Sequence, residues 1–229
     1  TAINGGSITT VAAQSYAGAI LLNNADTGIT TLTGVNINLS GTVDAAVGAG
    51  TQELIINDGA VTSFGGIVGG GANTLSSLSL NNASGTAAIN GGSIKTVAAQ
   101  SYAGIVTLNN AAGSTTLSGV NISFAGTVNA AAGTQDLIIN DSGTTTFSAA
   151  VGNGATTLRS LNLNNASGTA AINGGSITTT AAQSYSGTVV LNNSSTTLTG
   201  VNISFAKTID TAALNQNLII NDSGTTTFN

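Results

Sequence analysis

The sequence predicts an all-β chain, a parallel β-solenoid of about eight coils, and three observations carry that prediction. An imperfect long repeat runs through the whole chain, its copies opening at Thr1, Ala87 and Ala170. The composition suits short strands joined by tight turns. A short apolar signature ending in Asn recurs eight times at intervals close to one coil. Looking for internal periodicity first decides the architecture, because stacked repeats bury a core that no single repeat can bury alone.

The 229 residues contain no Cys, Pro, Met, Trp or His, and only 3 cations and 8 acids. Disordered chains are poor in apolar residues and rich in charge; this one is 41% apolar and 5% charged, so it is ordered. With 3 Tyr and 5 Phe it has no large aromatic core. Gly, Asn, Thr and small β-branched residues favour many strands with sharp corners. The formal net charge of −5, with Lys95, Arg159 and Lys207 as the cations, opposes nucleic-acid binding, which needs Lys and Arg to neutralise phosphates. Docking on anionic lipid fails on the same count. No apolar run reaches the ~18–20 residues that span a bilayer. Without Cys there is no disulfide or thiol chemistry.

Three segments align. T-A-I-N-G-G-S-I-T-T-V-A-A-Q-S-Y-A-G begins at Thr1, A-A-I-N-G-G-S-I-K-T-V-A-A-Q-S-Y-A-G at Ala87, and A-A-I-N-G-G-S-I-T-T-T-A-A-Q-S-Y-S-G at Ala170. Tyr16, Tyr102 and Tyr185 take the same place in the three copies, and so do Phe64, Phe147 and Phe228. The expected organisation is one domain over 1–229, with internal repeats 1–86, 87–169 and an incomplete 170–229.

Within each repeat, an apolar–x–apolar triplet precedes Asn-Asn or Asn-Asp. Its second apolar residue is Leu22, Ile56, Leu80, Leu108, Ile139, Leu163, Leu191 or Ile220. Read as one anchor per coil, the spacings of 24–34 residues give eight coils grouped in threes, about 38 Å tall at the usual strand spacing. These anchors then form one interior column. Leu32, Phe64, Ile89, Leu117, Phe147, Ile172, Leu198 and Phe228 form a second. Asn23, Asn57, Asn81, Asn109, Asn140, Asn164, Asn192 and Asn221 fall at one corner, where stacked amides bond in a ladder and Asn tolerates a left-handed backbone. The stretches Leu22–Leu32 and Val43–Leu54 differ in length from their counterparts, which marks them as outward loops. No stretch keeps helical apolar spacing.

The string G-S-I-T-T-x-A-A-Q-S-Y-x-G-x-V-x-L-N-N, followed by T-T-L-x-G-V-N-I-S-F and L-I-I-N-D-S-G-T-T-T-F, resembles filamentous-haemagglutinin-type repeats of large secreted bacterial adhesins and exoproteins. That resemblance implies a right-handed parallel β-helix, secretion to the bacterial cell surface or matrix, and a role in adhesion, biofilm or a surface filament.

Catalytic chemistry finds little footing. A Ser nucleophile needs a positioned base, and the chain has no His. The carboxylates are Asp26, Asp44, Glu53, Asp58, Asp136, Asp141, Asp210 and Asp222. Asp58, Asp141 and Asp222 are repeat equivalents, placed about 14 Å apart by a three-coil period, too far for a glycosidase pair. Elsewhere Asp alternates with Asn between repeats, as solvated turns allow. The expectation is no catalytic, cofactor or metal site. A corner Asp accepting backbone N–H bonds is favoured over a calcium ligand, because calcium wants six to eight oxygens. Thr144 and Thr146, with Thr225 and Thr227, suggest a water-ordering ladder of the ice-binding kind, weakened by irregular coil lengths. Tyr16, Tyr102 and Tyr185 are expected at the edge of the core with hydroxyls in water, or as an outer stripe for glycan stacking. N-x-S/T strings at Asn82, Asn121, Asn165 and Asn202 match chance in so Asn-rich a chain.

The leading functional expectation is a structural or adhesive segment, non-catalytic and extracellular. Its expected partners are itself, head to tail through uncapped ends or as part of a longer array, and glycans or cell surfaces. The alternatives are a polysaccharide-active β-helix enzyme and an ice- or surface-binding module.

Overall fold

The computed structural model describes residues 1–26, 28–48 and 50–229. Among them are 29 strands, every pairing between them is parallel, and no residue is helical. The chain winds as a β-solenoid of about ten turns. Each turn contributes one strand to each of three faces. Face one runs from Ala2–Ile3 to Val43–Ala45, passes through a single bridge at Val68, and continues from Ser93–Lys95 to Thr227–Phe228. Face two is an unbroken ten-stranded sheet from Ser7–Thr9 to Ile209–Thr211. Face three runs from Gln14–Tyr16 to Val128–Ala130, bridges at Val151, and ends with Ser176–Thr178, Ser195–Gly200 and Asn217–Asp222.

Strand alternation explains which side chains go inside. In Glu53–Asp58 the residues Leu54, Ile56 and Asp58 are buried and the intervening ones half-exposed. The same pattern holds in Asp136–Ile139, where Leu137 and Ile139 point inward. Leu, Ile, Val and Phe from all three faces meet in one continuous core. Full burial of each such side chain stabilises by about 1.5–3 kcal/mol relative to exposure, so the stack is held mainly by these columns.

The turn is shorter than the sequence suggested. Register partners on one face are as close in the chain as Ile3 and Leu22, and no further apart than Val68 and Ile94. The long repeat therefore does not fit a whole number of turns. From Gln14–Tyr16 to Gln100–Tyr102 the chain advances eleven strand positions, counting the Val68 bridge, and eleven more reach Gln183–Tyr185. At three strands per turn this is three and two-thirds turns, so repeat equivalents move to a different face each time.

This corrects the single-column reading of the anchors. Ile56 and Leu80, and Ile139 and Leu163, are register partners one turn apart on one face. The longer intervals, such as Leu22 to Ile56, are a turn and a third. Leu22, Ile139 and Leu163 stand on face one, Ile56, Leu80 and Leu191 on face two, and Leu108 and Ile220 on face three. All eight reach the core, with Ile220 only partly covered. In the second predicted column Phe228 is 62% exposed, because no described turn lies over it.

The two length-variable stretches do connect strands at corners, with Val47 projecting outward in the second and Leu214 in its third-repeat counterpart. Thr27 and Ala49, within them, lie outside the described residues. No helix among the described residues is long and apolar enough to cross a membrane.

Candidate functional site

The polar residues repeated in every copy are engaged in joining successive turns. Asp141, buried in its strand, accepts from the backbone N–H of Asn121 and Ile122 in the turn before, at 2.9 Å each. It also accepts from Gly143 N at 2.8 Å and Thr145 Oγ1 at 2.9 Å. Asp58 repeats this on Asn36, Ile37, Ala60 and Thr62, and Asp222 on Asn202, Ile203, Gly224 and Thr226. The Asn in each set has a left-handed backbone, with φ of 60° at Asn36, 62° at Asn121 and 59° at Asn202. Asn adopts that conformation more readily than most residues, and the carboxylate holds the N–H groups it turns inward. At Asp222 the Ile203 N–H and the other donors hold the carboxyl below its ordinary range. The corner-Asp expectation describes these residues well. Because their repeat equivalents fall on three different faces, the three carboxylates form no cluster with one another.

A Gln–Tyr pair is the second recurrent device, and sequence reasoning missed it. Tyr102 is buried, and its hydroxyl donates to Gln100 Oε1 at 2.8 Å. Gln100 Nε2 in turn donates to the Ser118 carbonyl of the next turn at 2.8 Å. Gln183 and Tyr185 do the same toward Thr199, and Gln14 and Tyr16 toward Thr33. Tyr102 and Tyr185 therefore neither place hydroxyls in water nor form an outer stripe; desolvation raises both phenols far above their ordinary pKa. Above them the rings continue as parallel stacks, Tyr102–Phe124–Phe147 and Tyr185–Phe205–Phe228, with centroids 5.1–5.2 Å apart. The available signal was the Q-x-Y spacing, since residues two apart on a strand share a face.

The predicted Asn ladder exists as short pieces on several corners. Asn81 donates to Asn57 Oδ1 at 2.9 Å, and Asn57 to Thr33 Oγ1 at 3.3 Å. Asn164 donates to Asn140 Oδ1 at 2.8 Å, and Asn140 to Ser118 Oγ at 3.3 Å. Asn23 reaches Asn4 and Asn192 reaches Asn173, while Asn109 and Asn221 belong to face three. The shift of one face per repeat breaks the ladder. It also separates Thr144–Phe147, on face two, from Thr227–Phe228, on face one. Thr144, Thr169 and Thr188 do line up, but the neighbouring column reads Thr146, Ala171, Val190. Asn82 and Asn165 are buried and unsuited to carry a glycan. Asn121 and Asn202 sit at corners just before strands, not inside them.

Two surface features remain. Arg159 pairs with Asp136, which also accepts from Ser160 Oγ, and this bonding holds the Asp136 carboxyl below its ordinary range. Such an exposed pair contributes at most about 1 kcal/mol. At the other end of the same face-one strands, where face one turns into face two, lies an open groove of about 330 Å³. Gly119, Asn140, Asp141, Ser142, Asn164, Ala166 and Ser167 line it. Lys207, two turns further on, donates from Nζ to the Ala166 carbonyl at its lip. Among the described residues no group of three acidic side chains is placed to hold a metal.

No family model, curated protein or solved structure matches the chain. The resemblance to filamentous-haemagglutinin-type repeats is thus supported only at the level of the parallel β-solenoid they share.

Proposed function

We propose that this chain is a non-catalytic structural or adhesive rod segment of a secreted bacterial surface protein. The observation that supports the reading is the way its polar residues are used. Asp58, Asp141 and Asp222, and the Gln–Tyr pairs, tie neighbouring turns together in every repeat. Buried groups spent in this manner serve cohesion along the axis. Because the repeat returns every three and two-thirds turns, it rebuilds the same cross-section rotated by a third of a turn. Such a unit extends a rod indefinitely and suits a spacer or shaft that carries load or holds a binding surface away from a cell. The extracellular setting comes from the sequence resemblance.

Small-angle scattering tests the shaft. At the usual strand spacing the described turns stand about 48 Å tall, and a tandem insertion of residues 87–169 adds about 18 Å. Resistance to protease with that increment is the expected result. A compact or flexible particle that does not lengthen, or release of reducing ends from a polysaccharide panel, overturns the reading.

A further inference from the structure

In a repeat protein, a residue that departs from its equivalents without helping the stack points to a task other than folding. One such departure reaches the groove between face one and face two: Lys207 stands where the first two repeats have Gly41 and Gly126. Ser142, in the groove's lining, is shared with Ser223 of the third repeat and replaced by Gly59 in the first. Gly41 and Gly126 lie at the closest approach of successive turns: a Cβ on Gly41 would overlap the backbone of Gly18, and one on Gly126 that of Gly104. Lysine is therefore a poor choice for packing at this corner, yet its ammonium reaches the groove's lip at Ala166.

The groups facing the groove define what it fits. Asp141 is committed to four donors of its own. The exposed hydroxyls of Ser142 and Ser167 are available. Asn164 spends one N–H on Asn140 and keeps its carbonyl oxygen and second N–H, while an ammonium bonded once retains two further donors. Closely spaced neutral donors and acceptors match vicinal sugar hydroxyls, each of which both donates and accepts. The Lys207 ammonium at the lip balances the Asp141 charge in the lining, so the groove itself is close to neutral, and the chain's net charge of −5 opposes a polyanion.

We infer that this groove binds a neutral polysaccharide through its vicinal hydroxyls, with Lys207 and Ser142 as the residues that distinguish it from the equivalent corner of the first repeat. The inference deepens the adhesive part of the proposed function. No aromatic side chain lines the groove, so a single site binds with a Kd of about 1–10 mM, and useful adhesion comes from many sites engaged together.

Saturation-transfer NMR with maltohexaose, and separately with oligogalacturonate, tests this on the full chain. Lys207→Gly and Ser142→Gly restore residues that other repeats carry, so both variants keep the fold, and Lys207→Gly melts at the same temperature or higher. Transfer to the neutral glycan, weakened at least about fivefold by each substitution, supports the site. It is overturned by no transfer at about 10 mM glycan, by variants that bind like the parent, or by stronger binding of oligogalacturonate. The scattering increment distinguishes a failure here from a failure of the rod reading, because it does not depend on any ligand.

Discussion

The second and third repeats use nearly the same words to different effect. Around Asn110 the corner spans Asn109–Gly113 and Gln135 closes it, accepting from Asn110 N and donating to Asn110 O, both at 3.0 Å. Around Asn193 the corner is two residues shorter, since the strand Ser195–Gly200 follows closely on Leu191. There Asn193 turns to the Asn173 carbonyl of the preceding turn, and Gln216 Oε1 is buried without a hydrogen-bond partner among the described residues. The aromatic stacks differ in a similar way. Phe147 is 1% exposed at the top of its stack and Phe228 is 62% exposed at the top of the other. What a residue contributes in a solenoid depends on the turns that bracket it, not on its local sequence.

Truncation should expose this most strongly in the rings. Phe124→Ala removes the middle of a fully buried stack, and the loss of transfer energy plus cavity is about 3–5 kcal/mol. Phe228→Ala removes a ring that water already reaches and costs under about 1 kcal/mol. Equal shifts of the urea midpoint in the two variants would break the comparison. Leu39 interrupts the corresponding series Tyr16–Leu39–Phe64 in the first repeat, and the core closes there without aromatic stacking.

The carboxylates come next. Asp141→Ala leaves the buried Ile122 N–H and three other donors unsatisfied, for a loss of about 3 kcal/mol. Asp222→Ala strips the same four partners at an exposed corner, where water replaces them, so its midpoint moves much less. Reversal of that order in chemical denaturation would show that the corner hydrogen bonds, rather than their burial, set the cost.

These contrasts also explain what the sequence could convey. The strands, the inward Leu and Ile positions and the Asp corners were legible because alternation and turn chemistry are local. The face that each residue occupies was not. The Asn-flanked anchors Ile56, Leu80 and Leu108 follow one another at similar intervals, yet the first step is one turn and the second a turn and a third. Telling them apart requires recognising Gln100–Tyr102 as a strand pairing with Leu78–Leu80, and the Gln disguised it. A polar residue two before a Tyr reads as surface until the partner carbonyl, Ser118 O, is in place. The groove at Ala166 was equally hidden, because Gly119, Asp141 and Ser167 meet only through the stacking of three turns.

Gln135 and Gln216 allow a smaller and more selective test. Gln135→Leu orphans the Asn110 N–H, while the Asn110 C=O keeps its bond from Gly113 N, and should cost about 1–2 kcal/mol. Gln216→Leu removes an amide whose oxygen has no partner among the described residues, and should be neutral or slightly stabilising in the same melt. Lengthening the third corner by inserting Ala-Gly after Asn193 should then make Gln216 behave like Gln135, so that Gln216→Leu becomes destabilising in that background. If it stays neutral, loop length is not what separates the two corners.

The gentlest probe leaves the chain unmutated. Burial raises the phenols of Tyr102 and Tyr185 far above the ordinary value of about 10, and raises the half-exposed Tyr16 as well. For a phenol the favoured form is the neutral one. The stabilisation is therefore complete below the unfolded pKa and is lost as pH climbs from there toward the folded pKa. Absorbance at the tyrosinate band should consequently show one reversible titration, from Tyr16, while the fold persists. The other two should ionise only together with loss of the β signal in circular dichroism. Three reversible tyrosine titrations with the strands intact would mean that the Gln–Tyr pairs open to water, and that the second and third repeats are looser than their shared packing implies.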